Sequence, residues 1–570
     1  MQAAFLVAAT IAPLLPTLRA AYVYDDTTII RDNTLLRGWG ALGRVWAQPY
    51  WPSDGVDALG LYRPFQLALL ATVWNATGGS PRAMHIYAML LAALAVGAVW
   101  WMLRRGVGTV PAMTAAAWFA VHPLHVEPVA SVANTSELVV VLCAAALVWI
   151  LGSWPPSPQN AARDWRRAAA VGALAAAALF AKESGLLALP LAALTVWGWT
   201  TPTVQRTTAR HFFDVNARVW MSAVVGVSVA IFARLAVLGA PVSHSSIAAQ
   251  GLSGLTVTER IAAMCSLWPR IAQMLVWPTS LAPYYGPTSF PASRLVFAAC
   301  GVAVVVAIFA VAVSVMSRRG DRRLLVAFGW MTLSYFPASN LLTATGQILS
   351  DRALYGMTVG AAFALAWIID VLPPTARKVA VAACIAIAVR GAYMSARYAT
   401  AWTSHKALWT RLAQVAPNEN MSAKLLGMDA RARGDTVVAL QMLGRAFARV
   451  PQDRQIRFEY AQVLYTTGRY EAAAATLAPL LRDGDARSEA GFMSLYLDAV
   501  GRSGGPQAVI RAATPLLHAE TGSVAALFLG VAYEQLELKS QADSAYVIGL
   551  KRNPADTLLA QRLAILRSHR

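Results

Sequence analysis

The sequence predicts a mostly α-helical protein, a polytopic membrane domain over residues 1–395 followed by an α-solenoid over 396–570. Three observations carry that prediction. Of 570 residues, 57% are hydrophobic and only 14% are charged, with a mean hydropathy of +0.49, whereas an average soluble domain is about one quarter charged. The deficit is concentrated before residue 400, where apolar runs recur. Beyond about residue 396 these runs stop and a period near 34 residues begins.

Helices are the natural spanning element for the apolar runs, because lipid offers backbone groups no water to bond to. The net charge of +19 does not point to nucleic acid, since the basic residues fall in short loops between apolar runs. Arg104-Arg105, Arg163 with Arg166-Arg167, Arg206 with Arg210, Arg318-Arg319 with Arg322-Arg323, and Arg377-Lys378 follow the positive-inside pattern. Taking these loops as cytoplasmic gives about eleven spans, near 3–20, 84–103, 109–121, 136–152, 168–181, 185–200, 219–238, 295–316, 324–343, 354–372 and 378–393. The run 168–200 is read as a hairpin turning at "AKES" (181–184), because one long helix would strand Lys182 and Glu183 at mid-bilayer. The stretch 263–285 is assigned to the interface, since a span there would put Arg318–Arg323 outside. The first run lacks a basic leader and a convincing small-residue cleavage site, so it is read as an uncleaved span rather than a signal peptide. Four scattered cysteines show neither metal spacing nor a disulfide framework.

In the C-terminal part, Gly434 and Gly468 lie 34 residues apart, as do Ala439 and Ala473. Gly427 to Gly530 and Pro451 to Pro554 are each 103 residues, near three periods. A small residue at a helix crossing, Ala in the second helix and Pro at the turn resemble the tetratricopeptide (TPR) consensus, with about four units and a degenerate third near 487–522. Stacked units make a solenoid with a concave groove suited to a protein or peptide.

With a cytoplasmic N-terminus, the solenoid falls outside, together with the loops 20–83, 122–135, 182–184, 239–294 and 344–353. The polar clusters lie in this set: Asp25-Asp26, "LYRPF" (61–65), "HPLHVEPVA" (122–130), "AKES" and "FPASNLL…SDRALY" (336–355). A carboxylate can take a proton from a hydroxyl nucleophile, and Arg or Lys can hold phosphate oxygens. A membrane face supplies lipid-linked substrates. Together these suit transfer of a sugar from a lipid phosphate to an external hydroxyl.

The order DD, YRP, HPxHxExVA, KES, FPxSNLL, DRxLY and then TPR units resembles the transmembrane and TPR-containing O-mannosyltransferases, and more broadly the GT-C glycosyltransferases. The resemblance implies an inverting transfer from a polyprenyl-phosphate sugar to protein Ser or Thr. It implies no cofactor, with a divalent metal left open. Asp25 or Asp26 is the expected base, with Asp26 favoured, and the other Asp is expected to orient the loop or to bind an Arg such as Arg31 or Arg63. Arg352 and Lys182 are expected at the donor phosphate, and His122, His125, Glu127, Glu183 and Arg63 in support. The chain departs from the family at "NTSELV" (134–139), where Thr135 stands in place of an Arg, while Glu137 stands where an acid is expected. Few lysines among the basic residues and many alanines suggest a GC-rich bacterial genome, and with the loop topology this gives a bacterial inner membrane with the solenoid on the periplasmic side. Two other classes compete. A transporter calls for polar helices at the midplane, whereas these residues gather at one face. A catalytically inactive TPR membrane scaffold that recruits exported proteins draws support from Thr135.

Overall fold

The computed structural model describes residues 1–51, 60–153, 161–199, 217–239, 249, 251–252, 254–482, 490–519 and 521–568. Arg206, Arg210 and the start of the third repeat lie outside the described residues. Two compact units form, Met1–Ala416 and Pro417–Arg570.

Each apolar run becomes a helix. In chain order these are α1 (Gln2–Arg19), α2 (Pro64–Thr77), α3 (Pro81–Arg104), α4 (Thr109–Ala120), α5 (Ser136–Ser153), α6 (Ala161–Ala181), α7 (Ala188–Gly198), α8 (Ala217–Leu238), α9 (Val257–Cys265), α10 (Trp268–Val276), α11 (Arg294–Arg319), α12 (Arg323–Tyr335), α13 (Tyr355–Val371), α14 (Pro374–Ala401) and α15 (His405–Val415). Seven helices among the described residues are long and apolar enough to cross a membrane. At about 1.5 Å per residue they match a ~30 Å hydrocarbon layer. The exposed apolar side chains of α8 and α11, among them Val224, Phe232, Leu295 and Val306, give these helices a lipid-compatible surface. This is an integral membrane protein.

α2 is absent from the sequence reading, which treated 20–83 as loop. Pro64 at its first turn and Gly78 in the left-handed conformation just past its end delimit it, and Leu67, Leu70 and Ala71 are buried. The run 263–285 is not one span. It breaks into α9 and α10, each nine residues and too short to cross.

The turn at 181–184 is decided locally. α6 stops at Ala181, and Lys182 is fully extended at φ −164°, ψ 152°, so the chain does not continue as one helix. Gly185 then packs so closely that a Cβ would sit 2.0 Å from the carbonyl oxygen of Ala178. Gly185→Ala should therefore lower thermal stability by about 1–3 kcal/mol or more, read as a fall in Tm; an unchanged Tm contradicts the close approach.

Loops assigned to one side meet one another. On the basic side, Arg323 donates to Asp370 at 2.7 Å, to the Gly106 carbonyl at 2.8 Å and to Asp321 at 2.8 Å, tying three loops together. The polar loops of the opposite side meet likewise, as described below.

In the second unit, α16 (Asn420–Ala432) pairs with α17 (Thr436–Arg449), α18 (Arg454–Thr466) with α19 (Tyr470–Leu477), and α21 (Gly522–Gln535) with α22 (Lys539–Arg552). Between them α20 (Ala490–Ala513) breaks at Gly505, φ 71°, into two arms, and α23 (Thr557–Ser568) closes the stack. Gly427 and Gly530 sit where paired helices cross, a Cβ there falling 2.6 Å from Leu443 and 2.2 Å from Tyr546. The unit boundary lies after Ala416 rather than near 395, because α15 packs with the first unit.

Candidate active site

Asp25 and Asp26 follow Tyr24, whose φ of +57° turns the chain sharply out of the first helix and into a short helical turn. The pair is therefore helical rather than extended, and the two carboxylates still diverge. Asp26 is fully buried. It accepts hydrogen bonds from Val132 N at 2.9 Å, Ala133 N at 2.8 Å and Ser131 Oγ at 3.2 Å. Burial pushes its carboxyl up to about 7, against the pull of those three donors.

Asp25 lies on the other side of the turn. It accepts from Asn134 Nδ2 at 3.2 Å and faces Arg352, whose Nη2 is 3.6 Å away. Arg352 also donates to Glu127, through Nη1 at 2.5 Å and through its backbone N–H at 3.0 Å. Glu127 is fully buried, and burial raises its carboxyl despite the guanidinium beside it. Asp25, Glu127 and Arg352 thus come from three separate loops to one point.

A second cluster stands nearby. Lys182 donates to Glu137 rather than pairing with its neighbour Glu183. Burial lowers the Lys182 ammonium, with Arg63 and Arg352 adding to the effect and Glu137 opposing it. Glu183 instead accepts from Arg63 Nη2 at 2.7 Å and lies 3.5 Å from Arg234 on α8. Tyr50 links the clusters. Arg63 lies 5.0 Å over its ring, and its hydroxyl donates to the Ala133 carbonyl at 2.7 Å. The arginines named as partners for the second Asp are engaged elsewhere, Arg31 with Asp32 at 2.7 Å and Arg63 with Glu183.

The histidines belong to packing. His122 accepts from Leu124 N through Nδ1 and donates Nε2–H to the Leu275 carbonyl at 3.0 Å, pinning α10. His125 lies 2.8 Å from the Thr358 hydroxyl, which gives its own proton to Tyr355 O, so His125 donates. Burial keeps both rings neutral, His122 at about 4 and His125 well below its ordinary value. Thr135 is buried and fills its place by accepting from Gln66 of α2 at 2.8 Å.

Sequence reasoning missed Arg234 and the backbone donors of Val132 and Ala133. Arg234 had a signal, a lone cation inside an apolar run; backbone donors leave none.

Residues 430–491 match the tetratricopeptide-repeat family. Mouse protein O-mannosyl-transferase TMTC3 is 24% identical over 367 residues, covering 60% of this chain and 39% of its own length. Drosophila melanogaster Tmtc2 is 32% identical over 189 residues, 32% of this chain and 20% of its own. The similarity runs to the transmembrane and TPR-containing O-mannosyltransferases. The chain spans well under half the length of these relatives. The oligosaccharyltransferase of Archaeoglobus fulgidus is 14% identical with a TM-score of 0.35, covering 70% of this chain and 56% of that one, a likeness too loose to argue from.

Proposed function

We propose that this chain is a membrane glycosyltransferase that moves a sugar from a polyprenyl-phosphate donor to an extracytoplasmic hydroxyl, Ser or Thr of a protein, with inversion. The observation that carries the reading is the convergence of Asp25, Glu127 and Arg352, with Asp25 and Arg352 3.6 Å apart. Geometry ranks before pKa in choosing a base. Asp26 has a raised pKa but is fully buried and its oxygens are taken by three donors, so we assign the base to Asp25 and make Asp26 the residue that fixes the loop. This reverses the order the sequence favoured.

In the reaction, the acceptor oxygen attacks the anomeric carbon as the bond from that carbon to the phosphate oxygen breaks. The hydroxyl proton passes to Asp25, and the bonding pair leaves with the polyprenyl phosphate. Arg352 neutralises the departing phosphate. Lys182, Arg63 and Arg234 outnumber Glu137 and Glu183 three to two, which supports placing the phosphodiester on that flank. The solenoid groove is assigned to the acceptor protein. We place the chain in a bacterial inner membrane with site and solenoid on the periplasmic side.

Reporter fusions test the sidedness. Fusions after residues 40, 345 and 450 should read extracytoplasmic, and those after 105, 320 and 372 cytoplasmic. A cytoplasmic reading at 40 denies the base an external acceptor, and one at 450 separates the solenoid from it.

A further inference from the structure

The turn that aims Asp25 is held from a distant part of the chain. Tyr24 is one of three non-glycine residues with positive φ among those described, a conformation that persists only where its surroundings enforce it. Both of its backbone groups are engaged. Its carbonyl accepts from Thr27 N at 3.2 Å and Thr27 Oγ1 at 2.7 Å. Its N–H donates to His405 Nε2 at 3.1 Å. A backbone N–H can only donate, so His405 offers a lone pair at Nε2 and carries its proton on Nδ1.

Four further contacts converge on this elbow between α14 and α15. Trp402 and Trp409 meet the Tyr24 ring edge-on, at 6.3 and 5.6 Å. The His405 ring stacks on Trp409 at 6.3 Å and 22°. Ala21 N donates to the Thr403 carbonyl at 3.3 Å. The residues before Asp25 are therefore laced to 402–409 by two hydrogen bonds donated from backbone N–H groups, one to a side chain and one to a carbonyl, and by an aromatic clamp.

We propose that His405 is a positioning residue for the transfer, which holds Tyr24 in the left-handed conformation and so keeps the Asp25 carboxylate at Arg352. The proposal rests on the reading of Asp25 as the base. His405 touches no reacting atom. It acts through one accepted hydrogen bond, and a side chain without an acceptor cannot replace it.

Two variants separate the acceptor from the packing. Gln at 405 brings an amide oxygen that can accept from Tyr24 N–H, whereas Lys brings only donors. In the purified full chain in lipid nanodiscs, hydrogen exchange of the 22–33 segment and turnover are measured together. His405→Lys should raise exchange at the Tyr24 amide by about tenfold, the worth of one hydrogen bond. It should also lower kcat by about tenfold or more, with the donor KM unchanged. His405→Gln should keep both within about threefold of the wild type. Wild-type exchange in His405→Lys, or equal losses in both variants, overturns the proposal. A wild-type protein that exchanges as expected and transfers no sugar refutes the function reading and leaves the exchange comparison to decide the clamp.

Discussion

Asp25→Asn should lower turnover by the ~10²–10⁴ that loss of a general base costs, with the fold intact. The change keeps shape and removes basicity, and Asp25 is tied by Asn134 and Arg352 alone among the contacts described for its side chain. Asp26→Asn should behave differently. Asp26 Oδ1 accepts from Ser131 and Ala133 while Oδ2 accepts from Val132. An amide there must turn its NH₂ toward a backbone N–H, leaving buried donors face to face at a cost of about 1–3 kcal/mol. That variant should show a lower Tm first, and lose activity as the loop loosens. Thermal unfolding and kcat measured on both variants decide the matter. A stable, slow Asp26→Asn beside a fully active Asp25→Asn would return the base to Asp26.

The second large effect is at Arg352. Arg352→Ala removes the partner of a fully buried carboxylate, and breaking a buried pair from one side costs about 3–5 kcal/mol. Much of that penalty belongs to the stranded Glu127 rather than to the lost bond. Adding Glu127→Gln, whose amide oxygen can still accept from the Arg352 backbone N–H, should recover most of the stability. It should not recover transfer, because no guanidinium remains for the phosphate. Arg352→Lys should rescue only in part, since Lys lacks the planar fork that reaches Glu127 and Asp25 together. Tm and the donor concentration for half-maximal rate separate the two roles. If the double variant transfers sugar at the wild-type rate, Arg352 serves only to neutralise Glu127.

These predictions also mark where the sequence was legible. Helices were readable because apolar runs alternate with arginine loops, and repeats because Gly427 and Gly530 must be small where helices cross. Asp25, Glu127, Lys182 and Arg352 stand out in the sequence as polar residues in loops between apolar runs. Their partners do not. Neighbour-based reasoning pairs Lys182 with Glu183, yet the chain extends at Lys182 and sends the two side chains to Glu137 and Arg63, 45 and 120 positions away. The roles of the two aspartates turn on backbone donors at 132 and 133, which any residue could supply. α2 was hidden because its apolar face completes the bundle from within a segment otherwise full of turn residues.

In the proposed reaction, sugar leaves a lipid phosphate for a hydroxyl. Membranes carrying the full chain, incubated in turn with polyprenyl phosphates bearing labelled mannose or other sugars, test it most directly. Label from at least one donor should move onto Ser or Thr of protein, and Asp25→Asn membranes should leave it on the lipid. Label that stays on the lipid with every donor, or that moves equally in the Asp25→Asn membranes, would contradict it.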